Sequence, residues 1–108
     1  MTVLWEPTLD AEATRWRDVA RKVATERFAP LAEELDREQR YPEEHIATFV
    51  ETGLSGMLVP AEYGGAGLTM TAICAVVEEV SAACASTGAI LAAHALGAVP
   101  LLLAGTDE

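Results

Sequence analysis

The chain has 108 residues, enough for one small domain, which we expect to span residues 1–108. Hydrophobic residues make up 51% of it and aromatic residues are few, which favours a packed helical fold over disorder. The net charge is −10, and all seven basic residues lie between Arg15 and Arg40. Nucleic acid and anionic membrane surfaces are negatively charged and bind proteins through an excess of Lys and Arg. Because the chain as a whole is strongly negative, we do not expect either as a partner.

Cys74 and Cys84 are the two cysteines of the chain. In helical sequence their separation corresponds to about 15 Å along the axis, too far for a disulfide. The chain also begins without the basic and apolar regions of a secretory signal. We therefore expect two small buried thiols in a reducing compartment and a cytoplasmic protein.

The first predicted element is an amphipathic helix capped by Thr8 or Asp10. Its apolar face consists of Trp16, Val19, Ala20 and Val23. Pro30 has no backbone donor and disfavours helix at the residue before it, so we expect a break or kink there. A shorter helical piece follows, with a solvated polar end and with Leu31, Ala32 and Leu35 on its apolar face.

A further helix is predicted to begin at Pro42 and to end at Gly53 in a left-handed cap. Its inner face is predicted to consist of Ile46, Phe49 and Val50. His45 has no second His or Cys and no clustered carboxylate at ligand spacing. We interpret it as a surface histidine and expect no metal site.

The stretch from Gly56 to Thr69 contains one proline and several glycines, which predicts an irregular loop. It matches neither the GxxxxGK[ST] nor the GxGxxG phosphate-binding pattern. Thr69 can cap the next helix, whose predicted buried stripe consists of Met70, Ile73, Val77, Val80 and Cys84. Glu78 and Glu79 are expected to point away from it, and neighbouring carboxylates that diverge by about 100° are a poor acid–base pair.

The end of the chain is apolar on every side apart from His94, and Gly97 and Pro100 are expected to divide it into two helical pieces. No charged residue lies between Ala82 and Thr106. The run is long enough to suggest a membrane span, but it is interrupted and lacks flanking Lys, Arg, Trp or Tyr anchors. We therefore expect no membrane span and a covering surface from another domain, another subunit or a ligand.

Short motifs follow one another in a characteristic order from about residue 8 to the end of the chain. They are ERFAP at 26–30, YP at 41–42, GLSG at 53–56, VPAEYGGAGL at 59–68, VEEV at 77–80, CASTG at 84–88 and LAGTDE at 103–108. In this series the chain resembles the N-terminal helical domain of the acyl-CoA dehydrogenases. The resemblance implies an all-α, up-and-down bundle of about five or six helices.

The resemblance also implies an activity for the complete protein. Members of the family are FAD-dependent oxidoreductases of fatty acid β-oxidation and lipid metabolism that introduce a 2,3-double bond into an acyl-CoA thioester. A glutamate of the C-terminal domain removes the α-proton, and the flavin N5 takes the β-hydride. The implied partners are the acyl-CoA substrate, an electron-transfer flavoprotein or similar acceptor, and the remaining domains or subunits of a homo- or hetero-tetramer.

The β-domain and C-terminal domain have no counterpart in this chain, so we assign no catalytic and no cofactor-binding residue and expect the chain alone to be inactive. By their position after the CASTG motif, five residues resemble the acyl-pocket lining of the family. They are Ile90, Leu91, His94, Ala95 and Leu96. His94 is either a satisfied histidine between helices or a pocket group that bonds a polar substituent of the substrate.

Two alternatives remain open at this point. One is a stand-alone, non-catalytic helical subunit or scaffold that binds a catalytic partner through its apolar C-terminal helices. The other is a membrane-associated helical protein.

Overall fold

The computed structural model describes residues 6–108, and over that range it contains helices, turns and one longer loop without a β-strand. The α-helical segments are α1 (Ala11–Val23), α2 (Ala29–Glu38), α3 (Glu43–Thr52), α4 (Met70–Ala83) and α5 (Ala85–Ala104). A π-helical turn, Ala24–Phe28, joins α1 directly to α2 and leaves four continuous helices in the described range. The predicted all-α class is confirmed, with slightly fewer helices than expected. The start of the segment that we compared with a secretory signal lies outside the described residues.

Hydrogen bonds between nearby residues explain where the first helix begins and how it continues past Pro30. Asp10 is the cap, because its Oδ1 accepts a hydrogen bond from the Ala13 amide at 2.8 Å. Of the break or kink expected near Pro30, the break is wrong, since helix continues to Glu38. The preceding turn widens instead, and the Ala29 amide bonds to the Ala24 carbonyl five residues back. This π-helical turn accommodates the missing donor and the bulk of the proline ring.

The core lies where α1 and α5 pack against α4. Its buried members are Ala13, Ala20, Val23, Ala24, Phe28, Leu35, Phe49, Leu54, Met57, Leu68, Ala72, Ile73, Val76, Val80, Cys84 and Leu91. The assignment to an inner face is wrong for two residues, since Val50 is 67% exposed and Met70 is 64% exposed. Helix α3 turns His45 and Thr48 inward instead of Val50. Met70 lies in the first turn of α4, where the described chain leaves it uncovered.

Helices α4 and α5 meet at an extended residue, Cys84, and approach each other closely. A Cβ added to Gly88 would lie 2.1 Å from the Ser81 Oγ atom and 2.8 Å from the Ser81 Cα atom. Helix α5 then runs through Gly97 and Pro100 without interruption, so the predicted division is wrong. The helix continues because the proline removes only one helical hydrogen bond, and the surrounding alanines and leucines are good helix formers.

Much of α5 remains uncovered by the described residues. It has 20 residues, and its most apolar 18-residue stretch has a mean hydropathy of 1.8 and is 17% buried. By length and composition the helix could cross a membrane. Thr87, Gly88 and Leu91 are its buried residues. The second half of α5 therefore presents an apolar surface that the core of this domain does not use.

The loop from Gly56 to Thr69 closes on itself, as the glycines and proline predict. It contains a 3₁₀ turn at Ala61–Tyr63, after which Gly64 adopts a positive φ of 86°. The Leu68 amide bonds to the Met57 carbonyl at 2.8 Å. A Cβ on Gly65 would lie 2.0 Å from the Val59 carbonyl oxygen, so glycine is required for this close backbone approach.

Candidate functional site

An apolar groove of about 480 Å³ runs between α4 and α5. Leu58 of the loop closes one part of it. The residues lining its two helical walls are Met70, Ile73, Cys74, Val77 and Glu78 on α4, and Ala92, Ala95, Leu96 and Val99 on α5. Both sets follow helical spacing, and the alanines of α5 leave the space that larger side chains would fill. A volume between about 300 and 1,000 Å³ is typical of small-molecule sites.

The five residues predicted to line an acyl pocket do not share one surface. Ala95 and Leu96 line the groove. Leu91 lies in the core at 1% exposure, and Ile90 is half-buried outside the groove lining. His94 points toward the 3₁₀ turn Leu54–Gly56 that follows α3, where its Nε2–H donates to the Ser55 carbonyl at 2.9 Å. Because successive helical residues rotate by about 100°, residues so close in sequence cannot all face one groove.

The sequence analysis missed the α4 wall of the groove. Met70, Ile73 and Val77 were assigned to a buried stripe, and the same spacing serves a core face or a groove face. Cys74 was expected to be buried, which is wrong, since its thiol is exposed beside the groove. Cys84 is buried as predicted, and both thiols are free.

His45, which we predicted to be a surface histidine, is buried at 1% exposure. Its Nδ1 lies 2.8 Å from the Thr87 Oγ1 atom of α5. Its ring centroid is 4.5 Å from that of Phe28. The sequence carried one signal for this placement, since residues 45, 48 and 49 have the spacing of one helical face.

A second depression lies on the other side of α5, against the glycine-rich loop. The Tyr63 hydroxyl donates a hydrogen bond to the Asp107 carboxylate across it. This bond raises the pKa of Tyr63, because loss of the phenolic proton would remove the bond and place two negative charges side by side. The contact holds the end of the chain against the loop.

Neither the groove nor the glycine-rich loop fits FAD. Glu78 is the charged residue of the groove lining, and no Lys or Arg follows Arg40 in the chain. The pyrophosphate of FAD would therefore meet no countercharge here. The glycine-rich loop also commits several of its amides, among them those of Gly65, Gly67 and Leu68, to its own carbonyls. The groove suits an aliphatic ligand, and its lining contains no pair of groups placed for acid–base chemistry.

Comparison with known proteins identifies the same kind of domain. The family model described as "Acyl-CoA dehydrogenase, N-terminal domain" matches residues 10–108. A probable acyl-CoA dehydrogenase of Mycobacterium tuberculosis is 37% identical over 100 residues, covering 93% of this chain and 26% of the relative. The mitochondrial short-chain specific acyl-CoA dehydrogenase of Bos taurus is 39% identical over 93 residues, covering 85% of this chain and 23% of the relative.

A third relative has a cyclic substrate in its name. The cyclohex-1-ene-1-carbonyl-CoA dehydrogenase of Geobacter metallireducens is 37% identical over 91 residues, covering 84% of this chain and 24% of the relative. The chain thus spans about a quarter of the length of the curated relatives it matches. The motif series, the helical fold and the family match agree, and the chain belongs to the acyl-CoA dehydrogenase family, whose N-terminal domain it matches.

Proposed function

We propose that this chain contributes a wall of the acyl pocket in a FAD-dependent acyl-CoA dehydrogenase that forms an α,β-double bond. The observation that carries the proposal is the α4–α5 groove, whose lining is apolar apart from Glu78. Two of the residues predicted from the resemblance, Ala95 and Leu96, lie in that lining. Family membership supports an acyl-CoA substrate for the complete protein.

The chemistry of the groove selects the aliphatic part of such a substrate. Burial of each methylene group there contributes about 0.8 kcal/mol. Glu78 at the groove disfavours a second carboxylate, so a thioester is accepted better than a free acid. The phosphates of coenzyme A find no Lys or Arg after Arg40, so we place that part of the substrate against other parts of the enzyme.

In this proposal the described residues orient the acyl chain and exclude water from it. Removal of a proton from Cα and of a hydride from Cβ needs a base and an acceptor, and we place both outside this chain. Because neither the groove nor the glycine-rich loop fits FAD, we derive no step through the flavin. An electron-transfer flavoprotein or similar acceptor, a tetrameric assembly and a cytoplasmic location are further parts of the proposal, and they rest on family resemblance and on the sequence.

The test is a substitution that shortens the groove in the complete enzyme. We expect Ala95→Phe to reduce kcat/KM for long acyl-CoA substrates more than for short ones, by about fourfold for each methylene denied burial. Ala93→Phe is the matched control, because Ala93 lies on the same helix, is exposed and does not line the groove. The measurement is the ratio of kcat/KM for a long over a short substrate.

An unchanged ratio with both activities reduced would show a folding defect and would contradict the groove assignment. His94→Trp offers a second comparison, because His94 was a predicted pocket residue but faces Ser55. If His94→Trp changes the ratio and Ala95→Phe does not, the acyl chain follows the other side of α5.

The exposed second half of α5 also supports the alternative of a non-catalytic subunit that binds a catalytic partner. The two functions differ in what the protein containing this domain does. If the complete polypeptide carries flavin and oxidises acyl-CoA, it is the enzyme. If it does so after a separate polypeptide is added, it is a subunit. Flotation of the chain with lipid vesicles would instead favour membrane association.

A further inference from the structure

A buried polar cluster joins α3 to the start of α5 at the centre of the domain. The His45 Nδ1 atom lies 2.8 Å from the Thr87 Oγ1 atom, and the Thr87 hydroxyl donates to the Cys84 Sγ atom at 3.1 Å. Exposure is 1% for His45, 0% for Thr87 and 5% for Cys84. The Phe28 ring covers one side of the imidazole. This cluster is separate from the groove and takes no part in the proposed function.

The hydrogen bonds determine which form of His45 fits the site. The Thr87 hydroxyl has one proton, and in the arrangement in which it donates to Cys84 the Thr87 oxygen accepts from the His45 Nδ1–H. The neutral ring then carries its lone pair on Nε2. That atom is buried and has no hydrogen-bond partner among residues 6–108. Addition of a proton to Nε2 would place a full charge in this buried site.

The charged groups around the imidazole do not compensate for that cost. On its own helix Glu44 favours the protonated ring, and so does the backbone carbonyl of Arg27 from the π-helical turn, whereas Arg40 opposes it. Burial outweighs them and lowers the pKa of His45. On the α5 side the facing titratable group is the Cys84 thiol, which already accepts the Thr87 hydroxyl.

We propose that the neutral His45 ring, buried beside Thr87, is an acid-sensitive tie between α3 and the start of α5. Protonation places an uncompensated charge in this buried site, and the ring then leaves the site and gives up its contact with Thr87. Because the unfolded chain binds the proton more readily, the stability from this tie is complete above the unfolded value of about 6.5. It is lost as the pH falls below that value. Release would free the helical turn that begins α5 and expose Cys84.

The test uses the small number of histidines, since His45 and His94 are the two in the chain. Denaturant unfolding is measured for the whole chain from about pH 8 to about pH 5, the range in which histidine titrates. We expect the unfolding equilibrium constant of the parent to rise by up to about tenfold per pH unit below about pH 6. His45→Asn keeps a donor near the Nδ1 position but does not titrate, so it should lack this rise. His94→Asn should retain it.

A second readout follows the opening itself. The rate at which a dithiodipyridine reagent labels Cys84 is divided by the rate for exposed Cys74, which corrects for the intrinsic effect of pH on thiols. We expect this ratio to rise on acidification in the parent and in His94→Asn, and to stay constant in His45→Asn. A merely structural role for His45 would change stability at every pH without changing these slopes.

Equal pH slopes for the parent and His45→Asn would overturn the proposal. If His45→Asn does not fold, the imidazole resonances of the folded parent decide the question, with His94→Asn used to assign them. A titration midpoint of the His45 ring at or above about 6.5 would also overturn it, because the folded state would then bind the proton as readily as the unfolded chain.

Discussion

Helices α1 and α5 both pack against α4, but they present different outer surfaces to solvent. The outer face of α1 is charged, and Arg21 extends to Glu79 of α4 in an ion pair of 2.7 Å. The second half of α5 exposes Leu96, Leu101 and Leu103 at 70%, 73% and 81%. The core of this domain therefore extends along α1 from Ala13 to Val23, whereas it ends halfway along α5.

This difference shows which surface is complete and which is available for association. Full burial of one leucine side chain contributes about 1.5–3 kcal/mol of favourable free energy. A partner that covers the exposed leucines of α5 would therefore gain several such contributions. The amphipathic α1 has little left to gain from a partner. A covering surface over the second half of α5 is thus the main expectation that the comparison supports.

The largest predicted effect compares two leucines of α5 on either side of the point where the core ends. Leu91→Ala should reduce the free energy of unfolding by about 2–5 kcal/mol, because Leu91 is buried. Leu101→Ala, the same change on the same helix, should alter it by less than about 0.5 kcal/mol. Denaturant unfolding of both variants measures the difference. Similar losses would mean that the core extends along the whole helix.

The second prediction concerns association through the exposed leucines. We expect the chain to self-associate, and Leu101→Ser with Leu103→Ser to weaken the association by about tenfold or more, since each buried leucine contributes about 1.5–3 kcal/mol. Val50→Ser is the control, because Val50 is an exposed apolar residue of α3. Sedimentation over a range of concentrations measures the dissociation constants. A clean monomer at all concentrations would refute the prediction.

The third prediction compares two glycines of α5. Gly88→Ala should destabilise the domain by about 1–3 kcal/mol, because its Cβ would overlap Ser81. Gly97→Ala should stabilise it by about 0.5–1 kcal/mol, because no described atom beyond its own helical turn lies within 4 Å of the added Cβ and alanine favours helix. Thermal unfolding of both variants checks the opposite signs. Two changes of the same sign would contradict the close approach of α4 and α5 at Gly88.

The smallest predicted effect concerns the surface ion pair between Arg40 and Glu44. The Arg40 guanidinium bonds to the Glu44 carboxylate at 2.7 Å and holds the pKa of Glu44 at about 2. Since the unfolded value is about 4.3, the stability from this pair is complete above that value and is lost as the pH falls toward about 2.

Glu44→Gln should therefore flatten the fall in thermal midpoint on acidification, and added salt should reduce the effect. Glu43→Gln is the control, because Glu43 is the neighbouring exposed carboxylate in the same turn. If both variants keep the pH dependence of the parent, the Arg40–Glu44 pair does not contribute to stability in solution.

Several features that depend on a few neighbouring residues were predicted correctly, although the helix interruptions expected at Pro30 and at Gly97 and Pro100 are not found. Asp10 and Thr69 cap helices through their own side chains, and Gly53 ends α3 with a positive φ of 81°. Each cap depends on hydrogen bonds or backbone angles within one turn. The irregular loop at Gly56–Thr69 was predicted for the same reason, because proline and glycine act on the local backbone.

Features that depend on distant contacts were predicted less well. His45 is buried because Thr87 and Phe28 come to it from other elements. Cys74 is exposed because the described chain leaves open the gap between α4 and α5. The acyl-pocket assignment remains a prediction, and the structure places Ala95 and Leu96 in the groove but Leu91 in the core.

The sequence by itself determined the helical class, the helix caps, the loop and the family resemblance, because periodicity, capping and motif order are properties of neighbouring residues. It also showed that the end of the chain is uncharged and apolar. The tertiary structure alone decided which apolar positions form the core and which line the groove. The reason is that burial depends on which helix packs against which face, and residues of identical character occupy both places.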